Sequence, residues 1–346
     1  MNAFGVIGWM MHKFFGGVLC KLLIAIFVCS SMLLSAARAQ TTETRVALDR
    51  WGLSYEDWQK LDGGALIAKA MRNNRFSRII HAARDDDAVA MVLVGLAYNE
   101  GFGISKDHVK AISWFRRSAQ GGNARAMHSL ARAYQNGRGV PISPFDATTW
   151  YKSAAEAGNE DSMFWSGLNY WAGLGVVANE VEAAKWFRIS AEHGNALGML
   201  YLGDFYELGI GVEKNENEAV RWFLAAAEAR NAGAMYRLGK MSDEGRGVAK
   251  NEAEAASWYL RAALGGSSDG MVAYGLMLAT GRGVEKNDLE AENWLRKAVA
   301  YNSGPSAEEA VSKLRDLYGV YCRPLPPTVL ITAIVGRPEL NYDCSR

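Results

Sequence analysis

The sequence predicts an all-α fold, a right-handed α/α superhelical solenoid of 36-residue helix-turn-helix repeats, and three observations carry that expectation. Tryptophan recurs every 36 residues without an insertion, at Trp114, Trp150, Trp186, Trp222, Trp258 and Trp294. A methionine ladder keeps the same step, at Met91, Met127, Met163, Met199, Met235 and Met271. Paired glycines do so as well, from Gly101/Gly103 through Gly137/Gly139, Gly173/Gly175, Gly209/Gly211 and Gly245/Gly247 to Gly281/Gly283. Six units therefore cover residues 88–303. One helical hairpin cannot bury its own apolar face, whereas stacked neighbours can.

Composition sets the outer limits. Of the 346 residues, 49% are apolar and 22% charged, which excludes a disordered chain. A net charge of +1 gives no reason to expect a nucleic-acid partner.

The first element, residues 1–39, reads as a secretory signal peptide. The apolar run from Leu22 to Leu34 follows Lys13 and Lys21, and Ala37-Arg38-Ala39 supplies a cleavage site before Gln40. Thirteen residues from Leu22 to Leu34 are short for a span, which needs about 20. The long basic region ahead of the run also fits a start at Met10 or Met11, or an uncleaved anchor; membrane contact is expected only in the last case. Removal of this segment takes Lys13, Lys21 and Arg38 and no acid, leaving 35 basic and 37 acidic side chains. The expected location is exported, periplasmic or secreted.

Residues 40–87 follow as an N-terminal segment with capping helices. Ser54-Tyr55-Glu56-Asp57 starts a short helix through Leu61, and residues 63–73 and 75–84 read as a helix pair. Arg78 stands where the repeat tryptophan would be, as a degenerate terminal unit requires. Asp85-Asp86-Asp87 reads as a cap for the helix beginning near Ala88, in preference to a cation site.

Within each repeat the first helix, for example Ala196 to Glu207, carries one apolar face, and Gly209-Ile210-Gly211 ends it. Asn215 with Glu218 reads as a capping box for the second helix, repeated at Asn179/Glu182, Asn251/Glu254 and Asn287/Glu290. Ser143 with Pro144 and Asp146 is the equivalent start in the second repeat. The Trp and Met ladders could suggest a ligand site, but one bulky residue at one helical phase in every unit reads as inter-repeat core.

A final helix after Pro305 makes residues 304–320 a C-terminal cap. Residues 321–346 form a Pro-rich tail with a strand-like run from Thr328 to Val335. Cys322 and Cys344 bracket it and are expected to form a disulfide in an oxidising compartment.

Ala-x-x-Trp-Phe/Tyr followed by Leu-Gly-x-x-Tyr-x-x-Gly-x-Gly-Val, as in Leu202-Gly203, Tyr206, Gly209 and Gly211-Val212, resembles the Sel-one-like repeat (SLR) family over residues 77–303. The family is a branch of the tetratricopeptide-like solenoids. The resemblance implies adaptor or scaffold work in signalling, envelope assembly, secretion or host contact, with no general catalytic residues. A cysteine-rich exported branch is associated with β-lactam binding and hydrolysis, but this chain has no Cys between residues 30 and 321.

Direct inspection of the residues gives no catalytic site, no metal site and no cofactor site. His81, His108, His128 and His193 have no metal-helix spacing, and the Gly-x-Gly turns follow no strand. Function is sought instead at the phases that vary between repeats. Positions 92, 96 and 99 of the first helix share one face, the concave one in a tetratricopeptide-like stack. Its equivalents, with an adjacent varied phase, give the expected partner-binding residues His128, Arg132, Phe164, Trp165, Leu168, Trp171, Tyr201, Asp204, Tyr236, Arg237 and Lys240. Aromatic residues with arginine, rimmed by charge, have the composition of an interface hot spot. The expected function is an exported adaptor binding a protein or peptide in that groove. The other two readings are a β-lactam-binding or -hydrolysing envelope enzyme and a polysaccharide-assembly scaffold.

Overall fold

A computed structural model describes residues 48–72, 76–301, 305–324 and 342–345. The expected signal segment and the run from Thr328 to Val335 lie outside the described residues. The chain divides after Ser162 into two compact units.

The first unit opens with α1 (Tyr55–Lys60), α2 (Gly63–Arg72) and α3 (Phe76–Arg84). The helices α4 (Ala88–Glu100), α5 (His108–Gln120), α6 (Ala124–Asn136) and α7 (Pro144–Glu156) then form two repeats. The division falls inside α8 (Glu160–Ala172). Beyond it come α9 (Glu180–Glu192), α10 (Ala196–Leu208), α11 (Glu216–Glu228), α12 (Ala232–Glu244), α13 (Glu252–Leu264), α14 (Ser268–Thr280), α15 (Asp288–Tyr301) and α16 (Pro305–Tyr318). Within each unit, first helices pack on their own second helix, as α4 on α5 and α12 on α13, and on the second helix before, as α6 on α5 and α12 on α11.

Local sequence sets the helix boundaries. Gly209 ends α10 at φ 74°, a left-handed conformation that costs a residue without Cβ little. Asn215 Oδ1 accepts the Glu218 N–H at 3.1 Å, and Asn179 and Asn251 cap α9 and α13 in the same way. Only the asparagine half of the expected capping box forms there. Glu182 and Glu218 turn instead to Lys185 and Arg221 one helical turn on, at 3.0 and 3.4 Å. A reciprocal box does form at Ser54 and Asp57.

The tryptophan ladder packs in or against the core between repeats, and a second ladder lies deeper beside it. The residue after each tryptophan is the fully enclosed one: Phe115, Tyr151, Phe187, Phe223, Tyr259 and Leu295 are all buried. Trp186 and Trp294 are buried as well, Trp114, Trp150, Trp222 and Trp258 pack half-buried against the core, and Arg261 and Lys297 lie 4.1 Å from the rings of Trp258 and Trp294. In five of the six repeats the enclosed residue sits against a glycine of the facing helix, and a Cβ on Gly203 would stand 2.5 Å from Phe223 Cε1; the second repeat carries Ala131 at that phase and still buries Tyr151.

At the end of the second unit, β1 (Tyr321–Pro324) pairs antiparallel with β2 (Tyr342–Ser345), with Cys322 opposite Cys344. A disulfide joins the two cysteines, and Arg296 of α15 donates to the Cys344 carbonyl at 3.1 Å.

Candidate functional site

The residues expected on the first-helix face fall into two groups, one in each unit. In the second unit α8 and α10 bring together Phe164, Trp165, Trp171 and Tyr201. Tyr201 meets Phe164 edge-on at 5.4 Å and Trp171 at 5.8 Å, and Trp171 also meets Phe205 at 5.9 Å. Trp165 lies 5.9 Å from Phe164, and Leu168 packs against the same cluster.

Exposure separates their roles. Phe164 is only 7% exposed and packs on Phe187, so it supports the face and offers no contact surface of its own, a correction to its expected role. Tyr201 is half-buried against Phe187. Trp171 is the outward ring, 40% exposed and braced by Tyr201 and Phe205.

The charged members of this group are partly committed to one another. Arg237 pairs with Asp204 at 3.0 Å, and Lys240 approaches Glu244 at 3.9 Å. Burial raises the Asp204 carboxyl to about 6, against the pull of Arg237. Tyr236 stacks at 5.7 Å against Tyr259, and burial raises its phenol too.

Sequence alone did not reveal an inter-repeat arginine clasp beside this face. Arg246, between the two glycines that follow α12, reaches back 39 residues to Glu207 at 2.7 Å. Arg282 occupies the same place one repeat later and pairs with Asp243, again 39 residues earlier.

In the first unit, His128 and Arg132 line a polar cavity of about 260 Å³. Ser162 is buried and donates to Asn159 Oδ1 at 2.7 Å, so His128 Nδ1, at 2.8 Å, carries the proton toward Ser162 Oγ. Burial, reinforced by Arg132 and Arg125, holds the imidazole down to about 3, and it is neutral at physiological pH. Arg125 donates to the carbonyls of Trp58 and Leu61, the latter at 2.5 Å. Asp62, Glu100, Arg138 and Asp161 complete the charged lining. Arg125, Asp62 and Asp161 gave no sequence signal because their meeting depends on contacts up to 67 residues apart. Arg138 did carry one, the Gly-Arg-Gly turn that it shares with Arg246 and Arg282.

Among the described residues no group of three or more His, Cys, Asp or Glu could hold a metal ion, and no helix is long and apolar enough to cross a membrane.

The family model described as Sel1 repeat matches residues 88–123, 124–159, 160–195, 196–231, 232–267 and 268–300. A crystal structure of a protective antigen from uropathogenic Escherichia coli displaying an SLR fold is 31% identical, with a TM-score of 0.66. The match covers 70% of this chain and 52% of that one, so this chain spans about half the antigen's length. A Sel1 repeat protein from Oxalobacter formigenes is 33% identical at a TM-score of 0.57, over 61% of this chain and 87% of that one. No curated protein matches the chain.

Proposed function

The chain belongs to the Sel1 repeat family, and from that premise we propose that it is an exported adaptor that holds a protein or peptide partner on the first-helix face of its second unit. The observation that carries this reading is Trp171. A large apolar ring left 40% exposed, yet braced edge-on by Tyr201 and Phe205, is pre-ordered at little further entropic cost on binding. Trp165 and Leu168 extend the apolar surface, and Asp204, Arg237 and Lys240 rim it with charge. Family members commonly act as protein-interaction scaffolds, and the apolar segment with Ala37-Arg38-Ala39 supports export. The reading assigns no catalytic residue.

The test is affinity capture from the native envelope with the chain lacking residues 1–39, wild type against Trp171→Ala. Tyr201 is left in place because its ring fills the core beside Phe187. The reading expects a specific partner to be retained by the wild type and lost from the variant, with thermal unfolding nearly unchanged. Equal capture by both moves the partner site elsewhere, and turnover of nitrocefin would replace the adaptor with an enzyme.

A further inference from the structure

The 36-residue lattice makes Arg138, Arg246 and Arg282 equivalent, and two of the three have the same partner. Arg246 holds Glu207 and Arg282 holds Asp243, each 39 residues earlier. The residue 39 before Arg138 is Asn99, whose amide is engaged with His108 at 3.0 Å and Glu100 at 2.7 Å. Arg138 has no carboxylate within ion-pair distance among the described residues, and it lines the cavity of the first unit. The place that a protein carboxylate fills in later repeats thus opens here onto a cavity of about 260 Å³.

Among the described residues the other charges lining the cavity feel one another's fields, Asp161 those of Arg125 and Arg132, without closing into ion pairs of contact distance. Arg132 forms no ion pair, nor do Asp62, Glu100 and Asp161. With Arg125 the lining holds three guanidinium groups and three carboxylates, and His128 adds no charge. A polyanion would gain at the arginines and lose at the acids. A molecule bearing one carboxylate and one ammonium group complements both.

We propose that this cavity binds a small zwitterion of free amino-acid size, its carboxylate taken by Arg138 and Arg132 and its ammonium by the acidic side of the lining. The volume admits one amino acid and excludes a folded partner. The site is independent of the Trp171 face, so Trp171→Ala leaves it intact and each proposal can fail without the other.

The experiment is calorimetric titration of the chain lacking residues 1–39 with each of the twenty L-amino acids. Any ligand found is then repeated as its des-amino and decarboxylated analogues. The expected result is one-to-one binding of at least one amino acid, weakened tenfold or more when either charged group is missing. Arg138→Gln should weaken it as much, without lowering the unfolding temperature, because among the described residues that guanidinium has no ion-pair partner. Asn99→Glu should abolish binding by supplying from within the carboxylate that Arg246 and Arg282 already hold. Absence of binding by all twenty at 10 mM overturns the proposal. So does binding that survives both Arg138→Gln and Asn99→Glu.

Discussion

Gly203→Ala asks whether the repeat core depends on a ring seated against a bare helix backbone. The added Cβ would lie 2.5 and 2.6 Å from Phe223 Cε1 and Cδ1, about 1 Å inside ordinary carbon contact. Phe223 is fully buried and cannot swing into solvent, so the helices must separate or the ring must leave its rotamer. Overpacking of this kind costs about 1–3 kcal/mol, while replacing a mid-helix glycine by alanine returns about 1 kcal/mol. The net expectation is a loss of up to about 2 kcal/mol.

The chain supplies its own control. A Cβ on Gly275 meets Leu295 Cγ at 3.2 Å and the Ala291 carbonyl oxygen at 3.3 Å, far looser than the 2.5 Å at Gly203, so Gly275→Ala should cost clearly less than Gly203→Ala. Phe223→Leu reproduces that arrangement and should recover part of the loss in Gly203→Ala. Urea unfolding followed by circular dichroism, with hydrogen exchange to localise the change, reads all three variants. If Gly203→Ala proves as stable as Gly275→Ala, ring-on-glycine packing is not what holds these repeats together.

Three further outcomes follow from named contacts. Arg246→Ala should cost about 3 kcal/mol in urea unfolding because it leaves Glu207, 6% exposed, as a buried unpaired carboxylate; Arg282→Ala, whose pair with Asp243 is better solvated, should cost about 1 kcal/mol or less. His128 has a folded value near 3, below its ordinary 6.5, so its contribution is full above pH 6.5 and declines as pH falls toward 3; His128→Gln should flatten acid unfolding in that window by up to about 4–5 kcal/mol. Intact mass should rise by two hydrogens on reduction of Cys322–Cys344, and an unchanged mass would mean that the cysteines are not joined.

Most of the fold was legible because each repeat states the same local rules six times. Glycines stop the first helices and Asn179, Asn215 and Asn251 start the second, so the boundaries follow from local chemistry. Periodicity alone could not say which of two adjacent aromatic residues is enclosed. Trp222 and Phe223 are equally regular, and their packing shows Phe223 as the ring seated on Gly203 of the facing helix. The aromatic face was likewise visible as a departure from the lattice. The phase argument could not foresee that Phe164 is its floor and Trp171 its outer ring, because that depends on side chains from α9 and α10. The cavity of the first unit was hidden for a related reason: the turn between α1 and α2, α4 and α6 each supply part of its lining, and only Arg138 belongs to a recurring pattern.

Whether Trp171 touches a partner can be read by site-specific photo-crosslinking. A photoreactive benzophenone side chain, which keeps an aromatic ring where the indole stood, is placed at position 171 and, as a control on the same unit, at Val177, which is 90% exposed but outside the aromatic face. Both chains are irradiated in the cell of origin, and adducts are resolved by mass. The account predicts a discrete protein or peptide adduct at 171 that is absent at 177. The same adducts at both positions, or none at 171, would contradict it.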